Sequence, residues 1–208
     1  MRHQHVLRAL LVMASIHVPV LARAGQVPER PAPTPFEQAV TAKMKQASMP
    51  GPGHRKLEPL AGKFSVSLKM WTEPSRVPPQ APAPEPELGT SERQWVLDKR
   101  FLEETYHGTY AGEPFDGKAT MGYDNVTNKY AATWIDTSTS SLSTSQGALK
   151  GNVLTLRGMT SDAMEAKAVP YIMKFIIADN DHHTMEWWAP GPKGKYVKCM
   201  EMQYTRIK

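Results

Sequence analysis

The chain has 208 residues, of which 40% are hydrophobic and 22% charged, enough for one globular domain and an appendage. Its formal charge of +5 includes three arginines in residues 1–24, which hold no acidic residue, so residues 25–208 carry only +2. This weak charge argues against a nucleic-acid partner. Because Cys199 is the only cysteine, an intramolecular disulfide is also excluded.

Residues 1–24 have the layout of a secretory signal peptide. A basic start precedes an apolar run, and small residues stand at Ala22 and Ala24. The run is short for a membrane span and is broken by His17 and Pro19. We therefore predict cleavage after Ala24, no membrane span, and a periplasmic or secreted protein.

Residues 25–50 are predicted to be a Pro-rich linker followed by a short amphipathic helix. Thr34, Pro35 and Glu37 match an N-cap, a first-turn proline and a capping-box glutamate. Apolar residues then recur at helical spacing until the sequence MPGPG ends the helix.

From Phe64 onward, apolar and polar residues alternate with the two-residue period of a half-buried strand. A Pro-rich loop over 73–89 follows, and turn residues then separate further predicted strands at 92–97, 101–110, 117–123, 129–136, 141–149, 153–158, 171–178, 183–188 and 196–207. About ten strands in an antiparallel meander predict an all-β domain over 51–208. Closure into a barrel is favoured because it removes the exposed sheet edges.

Several segments resemble a bacterial family known as domain of unknown function 1579. They are GPGHRKLEPLAGKFSV, LDKRFLEETYHG, PFDGKATMGYDNVTNKYAATWID and KCMEMQYTR, which together cover about residues 50–208. The resemblance implies a calycin-like barrel, related to lipocalins and fatty-acid-binding proteins, and implies no particular activity. It also implies that Arg206 on the last strand lies across the ring of Phe64, where lipocalins have tryptophan.

The preferred functional hypothesis is a barrel that binds a small apolar or amphipathic molecule, with no cofactor. Alternation places one set of side chains inside, namely Tyr106, Tyr110, Met121, Tyr123, Met173, Phe175, Met185, Trp187, Met200, Met202 and Tyr204, together with Trp134. The candidate ligand-binding residues are Tyr123, Trp134, Trp187, Tyr204, Arg206 and His107. Alternatives are an enzyme using His107 or Asp136 as general base, and a filled structural barrel.

Other patterns have a structural interpretation and a chemical one. The run DNDHHTMEWW is predicted to be a hairpin turn, since adjacent His182 and His183 point to opposite faces of a strand and cannot easily share a metal ion. The frequent methionines suit an adaptable core, with a copper(I) site as the alternative. His107 has haem ligation as its alternative. The Ser/Thr run at 136–145 lacks the surroundings of a nucleophilic serine.

Overall fold

The computed structural model describes residues 32–71, 85–163, 166–191 and 194–208. The predicted signal peptide, residues 25–31 and most of the Pro-rich loop lie outside the described residues, as does Met164. By contacts between Cα atoms, the chain divides into a unit that ends at Gln38 and a unit from Ala39 to Lys208 that contains the barrel.

Ten strands form one closed antiparallel barrel in chain order, with the first strand also paired to the last. This confirms the predicted all-β, calycin-like barrel. The strands are β1 (Gly62–Met70), β2 (Glu87–Val96), β3 (Phe101–Tyr110), β4 (Glu113–Asp124), β5 (Lys129–Asp136), β6 (Ser143–Lys150), β7 (Val153–Asp162), β8 (Lys167–Ile177), β9 (His182–Pro190) and β10 (Tyr196–Arg206).

Helix α1 (Pro35–Ser48) begins with the predicted capping box. The Glu37 amide donates to Thr34 Oγ1 at 3.3 Å, and the Thr34 amide donates to Glu37 Oε2 at 2.7 Å. Two short elements follow that the sequence pattern did not predict, α2 (Pro52–Arg55) and a 3-10 turn, η1 (Glu58–Leu60).

Several strands begin earlier or end later than the alternation predicted. Strand β2 starts at Glu87 rather than at residue 92, because Glu87, Leu88 and Gly89 pair with β1. Strand β8 starts at Lys167 and includes Pro170, which lies opposite Met159. Proline and glycine are depleted in strands, so their presence hid these strand ends from sequence reasoning.

The two ends of the barrel differ. At the end where β1 begins, which we call the cap end, α2 and η1 precede the first strand and bury Leu57 and Leu60 with Phe64 at or below 1% exposure. At the opposite loop end lies the loop that joins β5 to β6. The cap end therefore carries packed core, while the loop end carries polar connections.

Candidate functional site: the barrel cavity

A cavity of about 310 Å³ lies within the barrel and is lined from strands around its circumference. Its rings are those of Tyr110, Phe115, Trp134, Tyr171, Phe175, Trp187 and Tyr204. Its sulfur-containing side chains are Met70, Met121, Met173, Met185, Cys199, Met200 and Met202. Such a surface is apolar, and methionine makes it adaptable in shape.

Two pairs of stacked aromatic rings form part of the cavity wall. The rings of Tyr171 and Trp187 stack with centroids 3.8 Å apart, and those of Phe115 and Trp134 stack at 6.4 Å. Trp134 Nε1 donates to Asp136 Oδ2 at 2.7 Å, which fixes the indole. Gly117 makes room for it, since a Cβ there would lie 2.2 Å from Trp134 Cζ2.

The cavity floor, toward the cap end, holds a buried ion pair. Arg93 Nη2 lies 2.9 Å from Glu104 Oε1, which also accepts a 2.6 Å hydrogen bond from Ser91 Oγ. Arg93 also lies over the Tyr204 ring, with its Cζ 4.4 Å from the centroid. Burial opposes the charge of Arg93, but the carboxylate of Glu104 and the hydroxyl of Tyr204 together outweigh it, so the pKa of Arg93 is raised. Glu104 and Tyr204 face the cavity, and Arg93 lies behind them.

His183 completes this floor as a neutral base. Burial, and then the charges of Arg93 and Arg206, lower the pKa of His183 to about 2. A neutral imidazole can accept a hydrogen bond, and Arg93 Nη1 donates to His183 Nε2 at 2.6 Å. The ring stacks on Tyr204 at 4.4 Å. The imidazole is therefore part of the packed base of the barrel.

Arg206 seals the cap end beneath this floor. Its Cζ lies 4.6 Å from the Phe64 ring centroid, as the family resemblance implies. Its guanidinium donates to the carbonyls of Ala61 at 2.7 Å and Pro59 at 3.0 Å, and to that of Asn180. These hydrogen bonds connect β10 to the segment before β1 and to the turn between β8 and β9.

Comparison with known proteins gives the chain a family. A family model matches residues 49–206. The chain belongs to the family described as "Protein of unknown function (DUF1579)". No curated protein matches it.

A solved structure shares the fold. The crystal structure of Rv2717c from M. tuberculosis matches with a TM-score of 0.50 and 16% identity, over 76% of this chain and 99% of that one. The structure of the S-type phycobiliprotein lyase CPES from Guillardia theta matches with a TM-score of 0.46 and 10% identity, over the same shares of the two chains. At 16% identity, the likeness to Rv2717c shows the fold alone.

The structure brings three of the six candidate ligand-binding residues together. Trp134, Trp187 and Tyr204 line the cavity. Tyr123 instead lies at the cap end, with its ring 5.8 Å from that of His54 and 4.8 Å from that of Tyr130. Arg206 also lies at the cap end, outside the cavity lining. Apart from His107, these residues lie on the strand faces that the sequence pattern predicted, whereas their depth along the barrel could not be predicted.

His107 requires a correction, because it faces away from the barrel interior. Its neighbour Tyr106 is fully buried, so the alternation of β3 places the imidazole on the outer surface. There, His107 Nδ1 lies 2.6 Å from Asp116 Oδ1, and its side chain is 64% exposed. His107 therefore cannot contact a molecule inside the barrel, whether as ligand-binding group or as general base.

The turn at Asp179 has the hairpin geometry that the sequence predicted. Asp179 Oδ1 accepts the amides of Asp181 and His182, each at 2.7 Å. His182 is exposed and His183 is buried, so the two imidazoles diverge. Among the residues that the structure describes, no group of three or more His, Cys, Asp or Glu is placed to hold a metal ion.

Sequence reasoning missed Arg93 and Glu104. The signal was present, because Glu104 alternates with Leu102 and Tyr106 on an apolar strand face. A carboxylate on such a face needs a buried partner, since isolated buried charges are strongly disfavoured. Asp136, considered as a general base, instead accepts hydrogen bonds from Trp134, Ser138 and Thr139.

No helix in the part of the chain that the structure describes is both long enough and apolar enough to cross a bilayer.

Proposed function

We propose that this protein binds a small apolar or amphipathic molecule inside its barrel. The observation that carries the proposal is the cavity of about 310 Å³ lined by aromatic rings and methionines. Close-packed protein interiors leave few voids larger than a water molecule, and ligand sites begin at about 300 Å³. A void of this size in an otherwise packed barrel is best explained by an occupant.

The distribution of polar groups around the cavity supports an amphipathic occupant. The middle of the cavity is lined by rings and thioethers, whereas Asp136, Ser138, Thr139 and Ser141 line it at the loop end. The cap end is filled by Leu57, Leu60 and the buried ion pair. A molecule would therefore place its apolar part among the rings and thioethers and its polar part toward the loop end.

Adjacent tryptophans on β9 provide a matched test of binding. Trp187 lines the cavity, whereas Trp188 lies on the outer face, where Lys174 Nζ is 4.4 Å from its ring centroid. We expect the neutral fluorophore N-phenyl-1-naphthylamine to bind wild type with micromolar affinity. Trp187→Ala should weaken binding about 10-fold, because a buried ring contact is worth about 1–2 kcal/mol.

Trp188→Ala is the control and should bind the fluorophore as wild type does. The proposal would be contradicted if wild type did not bind the fluorophore at 100 times the expected micromolar concentrations. It would also be contradicted if Trp187→Ala and Trp188→Ala lost the same amount of affinity. Native mass spectrometry of protein purified from its own source should also show an added small-molecule mass that Trp187→Ala retains less well.

Export is part of this proposal. The basic, apolar and small-residue layout of residues 1–24 supports it. Amino-terminal sequencing of the exported protein should give Gly25 as the first residue, and an intact Met1 on membrane-bound material would refute it.

A further inference from the structure

We propose that the occupant of the cavity is a cationic amphiphile, with an amine or quaternary ammonium group held beside Asp136. This inference rests on the proposed binding function and specifies the charge of the ligand. It is carried by the charges that line the cavity, by the surroundings of Asp136, and by the rings beside it.

The charges that line the cavity have one sign. In the part of the chain that the structure describes, the charged lining residues are Glu104 and Asp136, and no Lys, Arg or His lines the cavity. An anionic head group inside the barrel would therefore meet two carboxylates and no cation. A positive head group would be attracted to Asp136 at the loop end.

Arg93, the buried cation nearest the cavity, already has hydrogen-bond partners. Arg93 donates to Glu104 at 2.9 Å and to His183 at 2.6 Å, and its remaining face covers the Tyr204 ring. Its side chain is 3% exposed, and Glu104 and Tyr204 separate it from the cavity. An anion that reached the floor would have to compete with Glu104 for this guanidinium.

Asp136 is the better placed of the two carboxylates for binding a cation. Glu104 is neutralised by Arg93, whereas the partners of Asp136 are neutral hydrogen-bond donors. Three of these bonds, from Ser138 and Thr139, go to Oδ1, and Trp134 alone donates to Oδ2. The negative charge is therefore fixed in position, and Oδ2 keeps a lone pair for a ligand.

Aromatic rings add to the preference for a cation. Trp134 is held by Asp136 through a 2.7 Å hydrogen bond and stacks with Phe115. The Nε1–H bond to Oδ2 lies in the plane of the indole, so a cation bound to Oδ2 from outside that plane would also approach a face of the ring. Tryptophan gives the strongest cation–π attraction of the aromatic side chains. Carboxylate and indole together form a site that suits an alkylammonium group.

Three ligands with the same decyl chain test this inference. Decyltrimethylammonium, 1-decanol and decanoate differ in head-group charge and would each be titrated against N-phenyl-1-naphthylamine bound to the full-length protein. We expect the cation to bind about 10-fold more tightly than the alcohol, and the alcohol about 10-fold more tightly than the anion, as expected for one partly screened charge contact.

Asp136→Asn keeps an acceptor oxygen for the turn and removes the charge. It should bring the affinities for decyltrimethylammonium and decanoate within about 3-fold of each other. Because the new amide NH2 no longer accepts from Trp134 Nε1, both affinities are compared with that of 1-decanol in the same variant. Asp179→Asn is the control, because Asp179 makes similar turn hydrogen bonds at the cap end. It should keep the wild-type order of affinities.

The outcomes separate this inference from the proposed function. If none of the three compounds and no fluorophore binds, the binding function itself fails. If the compounds bind with equal affinity, if 1-decanol or decanoate binds most tightly, or if Asp136→Asn keeps the wild-type order, the binding function stands and the preference for a cation is refuted.

Discussion

At the scale of single residues, Arg206 makes the contacts of a structural side chain. Arg206→Ala would remove its plane from Phe64 and leave the carbonyls of Ala61 and Pro59 without a donor. A loss of about 1–3 kcal/mol in the free energy of unfolding is expected. Arg206→Lys should recover little, because an ammonium group keeps the charge and lacks the planar fork.

Thermal and urea unfolding of the ligand-free protein would measure this loss. The control is Arg157→Ala, because Arg157 is an exposed arginine on β7. Equal midpoints for wild type and Arg206→Ala would show that the seal at the cap end contributes nothing to stability.

His183 predicts a dependence of stability on pH. Its pKa is lowered to about 2 in the folded state, whereas an unfolded histidine has a pKa of about 6.5. Between these values, the unfolded chain binds a proton that the folded chain does not, so stability is complete above pH 6.5 and falls as the pH is lowered. From pH 7 to pH 5, this one group should remove about 2 kcal/mol.

His183→Gln offers an acceptor to Arg93 and cannot titrate. Its free energy of unfolding should fall about 2 kcal/mol less than that of wild type between pH 7 and pH 5. Identical pH profiles for the two proteins would mean that His183 binds a proton as readily in the folded state as in the unfolded state, which would contradict its role as acceptor from Arg93.

The same residues show what a sequence can predict at this scale. The contact of Arg206 with Phe64 was predictable, because the family resemblance supplies the pairing of the first strand with the last. The pair of Arg93 with Glu104 was not, because it requires the register of β2 on β3, in which the two residues lie directly opposite. Alternation gives the face of a strand, whereas register depends on the packed barrel.

At the scale of elements, the segment that contains α2 and η1 behaves as part of the core. Leu60 has 0% exposure and belongs to the same hydrophobic cluster as Phe64 and Tyr204. Leu60→Ala should therefore lower the free energy of unfolding by about 2–5 kcal/mol, the range for large-to-small changes in a packed core. The sequence pattern did not predict this segment because it is short and carries Pro52, Gly53 and Pro59.

Leu142→Ala is the matched control for that element. Leu142 lies in the β5–β6 loop and is 63% exposed, so its truncation should change stability by no more than about 0.5 kcal/mol. Urea unfolding of both variants would compare them directly. Equal effects on the free energy of unfolding would show that the segment that contains α2 and η1 does not stabilise the barrel.

At the scale of the whole molecule, the sequence predicted the closed barrel and left the question of a hollow or filled interior open. Both kinds of barrel need the same alternation of apolar and polar residues. The difference depends on how far side chains from opposite walls reach, and that follows from strand tilt and register together. The cavity at the loop half and the packing at the cap half emerge only once the strands are assembled.

A cavity-filling substitution distinguishes a hollow from a filled interior. Ala119 lines the cavity between Glu104 on β3 and Trp134 on β5. In a well-packed core, an added ring is destabilising by about 1–3 kcal/mol, whereas in a hollow barrel it enters space that is already present. Ala119→Phe should therefore leave the unfolding midpoint of the ligand-free protein unchanged or raise it, and it should weaken binding of N-phenyl-1-naphthylamine at least 10-fold.

Ala131→Phe, on the exposed outer face of β5, is the control and should leave both properties as in wild type. A large loss of stability in Ala119→Phe would show that the interior is packed in solution, and undiminished binding would place the ligand outside the barrel.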